Sequence, residues 1–460
     1  MIWYRSVLGS VCFTATALVC VATLCQTAAA TVYVWTNTCG SYVGGTRTGN
    51  WDVAGNWNPA TGYPNQPGDI AEFRELGLSN ISFYIKLPTG GVTVGVIRVT
   101  TRVTNSYLIL GSASAPIVFT NTSGNASVSC LDFVYPGGSQ SQISFVGGSP
   151  IRFLSNTDMP IGQNNSNMLT FDGPWEGSAT VTKKGSVISW VFLYYSKCYS
   201  NFVGTVVVES GLFGCRGFYS GPCLTNPALI RVKSAGIFEQ RSGITACDVV
   251  FEPGAKIYAT QHSELSACLG NISVSGAVTF AAQGSTATYS GTVSGNGTLS
   301  YQSLSPVGYH LFTGRISPGM SVAAAGTLTF DAAGNGAVYL FGLSNSPVEL
   351  VIDIGVGGVP GVTYDQFVLQ NAPALDVSNM TVRFFGGTFT GVTNWFLVAN
   401  ALAASTTFQN VVFDGGTTGA IVYAYSQNRI GAVVTPEPGA LLLAALAVAG
   451  HARRRAPRRR

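Results

Sequence analysis

The chain has 460 residues, of which 56 are glycine, 10% are charged and 46% are hydrophobic, and its mean hydropathy is +0.31. An average protein is about 7% glycine and about a quarter charged, so this composition excludes a charge-driven disordered chain, and the glycines lack the three-residue period of collagen. The balance of 24 Lys and Arg against 20 Asp and Glu gives +4, but no basic stripe crosses the body, which argues against nucleic acid as a partner.

Residues 1–30 read as a secretory signal helix. Arg5 is the basic leader, residues 7–24 carry no charge, and Ala28-Ala29-Ala30 supplies the small-x-small cleavage pattern at Ala28 and Ala30. Residues 31–75 form a Trp-rich opening with Trp35, Trp51 and Trp57 beside Tyr33, Tyr42 and Tyr63. Such aromatics either stack on sugars or plug the end of a sheet whose edge would otherwise stand open. Asp69 and Glu72 in this segment read as turn and cap chemistry.

From 31 to 434 no 3.6-residue stripe persists. Short β-branched and aromatic runs recur instead, including Val92-Thr93-Val94, Ile117-Val118-Phe119, Thr205-Val206-Val207-Val208 and Thr327-Leu328-Thr329-Phe330. Gly204-Thr205-Val206, Gly291-Thr292-Val293, Gly297-Thr298-Leu299 and Gly326-Thr327-Leu328 share one template, in which glycine is expected to supply the positive φ of a turn. Strands every 6 to 12 residues predict an all-β chain, with a right-handed parallel β-helix or solenoid over the repeat region, residues 76–320; antiparallel sandwiches are the competing architecture. Residues 321–433 read as a further β-rich region.

Residues 434–460 combine Pro436, Glu437, Pro438 and Gly439 with an uncharged run to Gly450. The cluster Arg453, Arg454, Arg455, Arg458, Arg459 and Arg460 follows. Prolines hold an extended, protease-accessible segment, the apolar run forms a short hydrophobic helix that enters the membrane, and arginines stay cytoplasmic. The run falls short of the roughly 17–25 residues of a full span. Removing the signal and tail takes seven basic residues and one acidic, leaving 17 against 19 and a body near −2. The basic excess therefore belongs to the ends.

The body offers little for catalysis. No phosphate-binding glycine loop, nucleophile elbow or His-Glu-x-x-His occurs, so no catalytic residue, metal ligand or cofactor is assigned. An enzyme acting on polysaccharide would need convergent carboxylates, and Asp248, Glu252, His262 and Glu264 are the nearest approach to such a set. Seven cysteines remain after the signal. Cys223, Cys247 and Cys268 are 24 and 21 apart, close to one repeat, so they form either disulfides or an unbonded ladder of buried thiols.

Two resemblances follow from these residues. The Pro436-Glu437-Pro438 box, apolar run and terminal arginines resemble a bacterial PEP-CTERM sorting domain, which implies processing by an exosortase-like membrane protease after Sec-type export. Trp51-Asp52 with Gly55-Asn56-Trp57, then Pro67-Gly68-Asp69-Ile70-Ala71-Glu72-Phe73, resembles the opening of autotransporter-associated β-strand repeat proteins. Tyr289-Ser290-Gly291-Thr292-Val293-Ser294-Gly295-Asn296-Gly297, Ile316-Ser317-Pro318-Gly319 and Tyr364-Asp365-Gln366 are similar to their later motifs. The tail residues do not read as the alternating strands of an outer-membrane barrel, so the expectation is of passenger-type repeats without a translocator. The resemblance implies an exported, non-enzymatic structural or adhesive protein of the cell surface or extracellular matrix, anchored in the inner membrane at least transiently, with an envelope polysaccharide as the open partner. The alternative is a carbohydrate-binding or polysaccharide-degrading β-helix protein.

Overall fold

The computed structural model describes residues 30–36, 46–74, 81–100, 105–131, 142–162, 168–185, 189–194, 201–216, 222–241, 244–259, 266–284, 286–304, 308–319, 325–336, 338–354, 359–386, 393–414 and 417–436. These residues are all-β. Two short 3-10 turns, Ala54–Asn56 and Tyr425–Gln427, are the helical elements among them, and none of their helices is long and apolar enough to cross a membrane. The expected signal helix and C-terminal hydrophobic helix lie outside the described residues.

The strands pair in three ladders, and the chain visits the ladders in a repeating order. The first begins Val32–Trp35, Ile70–Arg74, Val96–Thr100, Ala126–Leu131, Thr157–Ile161 and Thr180–Gly185, each parallel to the next. It continues through residues of Thr205–Arg216, Pro222–Arg241, Ile244–Phe251, Ile272–Ala282 and Thr292–Ser303. Arg315–Pro318, Val348–Asp353, Met380–Phe385 and Asn410–Phe413 complete it. The parallel pairing thus crosses residue 320 without a break.

The second ladder starts Thr46–Asn50, Ile81–Lys86, Asn105–Leu110, Gln142–Val146, Met168–Phe171 and Trp190–Tyr194. It ends Thr327–Asp331, Gln366–Gln370 and Asn394–Ala399. The third holds Val92–Val94, Ile117–Phe119, Ile151–Phe153, Trp175–Gly177 and Asn201–Phe202. In later circuits the third place is taken by a second parallel series, Ser266–Cys268, Thr286–Tyr289, Tyr309–Phe312 and Tyr339–Phe341, which joins the large sheet through Ile244–Phe251. Antiparallel pairs between named strands occur only near the two ends of the described chain. Val32–Trp35 meets Trp57–Asn58, and Arg429–Pro436 meets both Asn394–Ala399 and Thr417–Ala424. The antiparallel sandwich alternative therefore fails for the described body.

Local sequence explains this pairing. Burial alternates along the strands, as in Ile244–Phe251 and Thr157–Ile161, because successive side chains point to opposite faces. One face of every ladder supplies a continuous core. Aromatic rings stack along it: Phe145 on Phe171 with centroids 4.9 Å apart, Phe119 on Phe153 at 5.7 Å, Tyr289 on Phe312 at 5.0 Å. Near its beginning, Trp35, Trp51 and Trp57 are buried with edge-on contacts of 5.0 Å. They sit in the core, so these three indoles are closed to sugar stacking.

The template glycines serve close approach. Gly204, Gly291, Gly297 and Gly326 do not need left-handed φ. A β-carbon on Gly204 or Gly297 would overlap the carbonyl oxygen of Ala179 or Gly276, one repeat earlier. The same holds down one corner, where Gly270, Gly291 and Gly314 press on Cys247, Gly270 and Gly291 in turn. This corrects the turn reading: the main chains of neighbouring repeats come too close for a side chain.

Candidate functional site

The outer faces spend their charge between repeats. Arg152 pairs with Glu176, Lys184 with Asp158, Arg231 with Glu252 and Lys233 with Glu209. Toward the C-terminal end, Glu349 accepts from both Arg315 and Arg383, and Arg383 reaches on to Asp414. Burial pushes the Glu349 carboxyl up, but hydrogen bonds from Arg383 and Arg315 outweigh it and hold the group below its ordinary range. Cross-strand pairs of this kind fix register more than they add stability.

Of the carboxylate set singled out in the sequence, His262 and Glu264 lie outside the described residues. Asp248 accepts the main-chain N–H of Asn271 at 2.9 Å, and Glu252 faces Arg231. Asp248 belongs to a corner series in which Asn271 in turn accepts the N–H of Thr292; at a different corner Asn296 accepts that of Thr327. These Asx side chains tie one repeat's corner to the next. Asp69 is a buried cap that accepts from the N–H groups of Thr31, Asn65 and Gln66. Beside it on the first ladder, Glu72 is held low by its hydrogen bond to Arg74. Among the described residues no group of three His, Cys, Asp or Glu is placed to hold a metal ion.

The cysteine reading needs correction. Cys268 is a buried thiol with no disulfide, and its register partners are Thr245 and Tyr289. Cys247 stands two positions beyond Thr245, so it does not stack on Cys268. The reason is the length of the repeat: Thr245 pairs with Cys268 and Val249 with Ile272, a step of 23 residues, so a cysteine spacing of 21 falls two positions short. Cys223 lies within the strand Pro222–Arg241. Burial pushes the Cys268 thiol up to about 12, which makes it a poor nucleophile.

Three buried polar groups had no role assigned from sequence. Lys183 points inward between Met159 and Val208. Its Nζ donates to Ser189 Oγ at 2.8 Å and to the carbonyls of Lys184 and Ser210 at 2.9 and 3.1 Å. Burial lowers its pKa to about 7. The alternation Val181-Thr182-Lys183 was the available signal, since it puts Lys183 on the face of Val181. His310 is fully buried among Phe280, Tyr289, Tyr301 and Tyr339. Its Nδ1 lies 2.9 Å from Tyr289 Oη and its Nε2 has no hydrogen-bond partner. Burial lowers this imidazole to about 3. Asp365 accepts the N–H groups of Gly326 and Asp353, each at 2.9 Å, and burial raises it to about 7.

An apolar cleft of about 260 Å³ opens beyond the strand Tyr339–Phe341. Tyr339, Phe341, Leu369 and Leu375 line it with Asp376 and Asn379. The Tyr339 hydroxyl is already engaged with the Leu299 carbonyl, and Thr406 donates to Asp376 and lowers its pKa.

Of the sorting and processing residues, Ala30 and Pro436 are described. Ala30 is exposed just before the first strand. Pro436 ends the strand Arg429–Pro436, opposite Thr417. Ala28, Glu437, Pro438, Gly439 and the arginine cluster lie outside the described residues. No family model, curated protein or solved structure matches the chain.

Proposed function

We propose that the chain is a right-handed parallel β-helix exported as a non-enzymatic structural or adhesive protein of the cell surface or extracellular matrix. The N-terminal segment directs Sec-type export, with cleavage at Ala28-Ala29-Ala30. The Pro436-Glu437-Pro438-Gly439 segment is the processing signal for an exosortase-like protease, with residues 440–460 as a membrane anchor held by its arginines. The observation that carries this reading is the position of Pro436. It is the last described residue of the hairpin strand Arg429–Pro436, opposite Thr417, and this supports a sorting motif that starts at the C-terminal margin of the described β-body.

The three ladders of parallel strands support the β-helical reading, and a crossover between parallel strands is right-handed in about 98% of cases. Low charge, with ion pairs spent between repeats, suits a stiff spacer that associates laterally and steers few ligands. The test is terminal-peptide and intact-mass analysis of protein from its native cells, fraction by fraction. The expected species starts near Thr31, ends near Pro436 and lies outside the inner membrane. A chain that keeps Arg458, Arg459 and Arg460 and stays only in the inner membrane overturns the sorting reading.

A further inference from the structure

The strand Thr417–Ala424 pairs along one edge with Arg429–Pro436. Along its other edge, residues 419–424 have no strand partner among the described residues. Its sequence is Thr417-Thr418-Gly419-Ala420-Ile421-Val422-Tyr423-Ala424, with no charge and no proline. Gly419 and Ala420 are exposed, and Ile421 and Val422 are half-buried. An edge of this kind displays unpaired N–H and C=O groups, and proteins usually blunt it with lysine, proline or a bulge. This one carries none of the first two. Elsewhere the outer faces do carry charge, paired between repeats.

We propose that this edge is an interaction surface for a second copy of the chain, which adds its own Thr417–Ala424 strand antiparallel across a two-fold axis. A two-fold interface is isologous, so each residue must tolerate its counterpart. Here every antiparallel register sets neutral side chains opposite neutral ones, and Ile421, Val422 and Tyr423 suit a pleated partner. A charged foreign strand gains no matching ion here. The last described residue, Pro436, stands opposite Thr417, at one end of this strand. Copies held by their tails on one surface therefore present these edges at one height, where effective concentration is high. The inference goes beyond the sorting reading and does not require the tail to be cut.

The test is sedimentation velocity of the full chain in detergent over a concentration series, on wild type, Ala420→Lys and Ser426→Lys. Ser426 is exposed on the same hairpin but off the strand. Wild type and Ser426→Lys should show a monomer–dimer equilibrium, and Ala420→Lys should weaken it roughly tenfold or more by opposing like charges. A wild type that is monomeric throughout, or a dimer that Ala420→Lys leaves intact, overturns the proposal. Hydrogen exchange on wild type gives a readout free of any folding defect in the variant. Amide protection over residues 419–424 should rise with protein concentration, and exchange there that ignores concentration also overturns it.

Discussion

Gly291 lies with its Cα against the main chain of Gly270, so that a β-carbon at Gly291 would overlap the Gly270 carbonyl oxygen. The clash is with backbone, and backbone fixed between two paired strands cannot step aside cheaply. Gly291→Ala is therefore expected to destabilise the protein by about 1–3 kcal/mol, read as a fall in Tm. Gly55→Ala is the control, because nothing lies within 4 Å of a β-carbon there. Equal effects from the two variants would remove the close-approach account of the template.

The Trp cluster supplies the second prediction. Trp57 is 1% exposed and contacts Trp35, Trp51 and Phe73, while its indole N–H donates to the Trp51 carbonyl at 2.7 Å. Trp57→Ala should cost about 3–5 kcal/mol. Because each repeat packs mainly on its neighbours, limited proteolysis should open the N-terminal repeats first and spare the region beyond 300. Uniform digestion along the chain would contradict that.

Lys183 gives a pH dependence with a definite sign. Its pKa is about 7 in the folded protein against an ordinary 10.5. Between those values the unfolded chain holds the proton and the folded chain does not, so the term adds stability as pH rises from 7 towards 10.5. Cys268, raised to about 12, acts in the opposite direction above 9. The clean window is pH 7 to 9, compared between wild type and Lys183→Met. Wild-type Tm should gain on the variant across that window, and parallel profiles would show that Lys183 keeps its proton.

His310 governs the acid side. Its folded value of about 3 lies below the ordinary 6.5. Stability from this group is complete above 6.5 and is lost as pH falls towards 3. The difference in Tm between wild type and His310→Phe should shift against wild type over that range. Asp365 works the other way: raised to about 7 from 3.8, it contributes most below 3.8 and loses its contribution as pH rises through 7. Asp365→Asn should flatten that second trend and leave the first intact.

Much of the strand content was legible, because Val92-Thr93-Val94 and Ile117-Val118-Phe119 bury their outer members and turn the middle one outward. That alternation is local, so sequence carries it. Register is not local. The 24- and 21-residue cysteine spacings looked like one period, yet the register step between the strands that carry Cys247 and Cys268 is 23 residues, which leaves the two out of line. Pro222–Arg241 runs as one strand of 20 residues through two corners despite Pro227, far longer than the short runs that the sequence analysis picked out. Asp69 was readable as a cap because its partners are close in sequence, Asn65 and Gln66. Asp365 was not, since Gly326 and Asp353 reach it from distant repeats. The same distance hid the charge relay from Arg315 through Glu349 and Arg383 to Asp414.

The ladders carry a consequence for how such a chain can change length. Asn271 bonds back to Asp248 and forward to Thr292, and Gly291 rests on Gly270 just as Gly314 rests on Gly291. Each corner asks the same thing of the one before it. A whole repeat can then be copied or excised at such corners with every surviving contact finding an equivalent, whereas losing a few residues shifts three ladders at once. Growth by duplication is thus available to this protein in units of one circuit, and drift by small insertions is confined to the segments between strands.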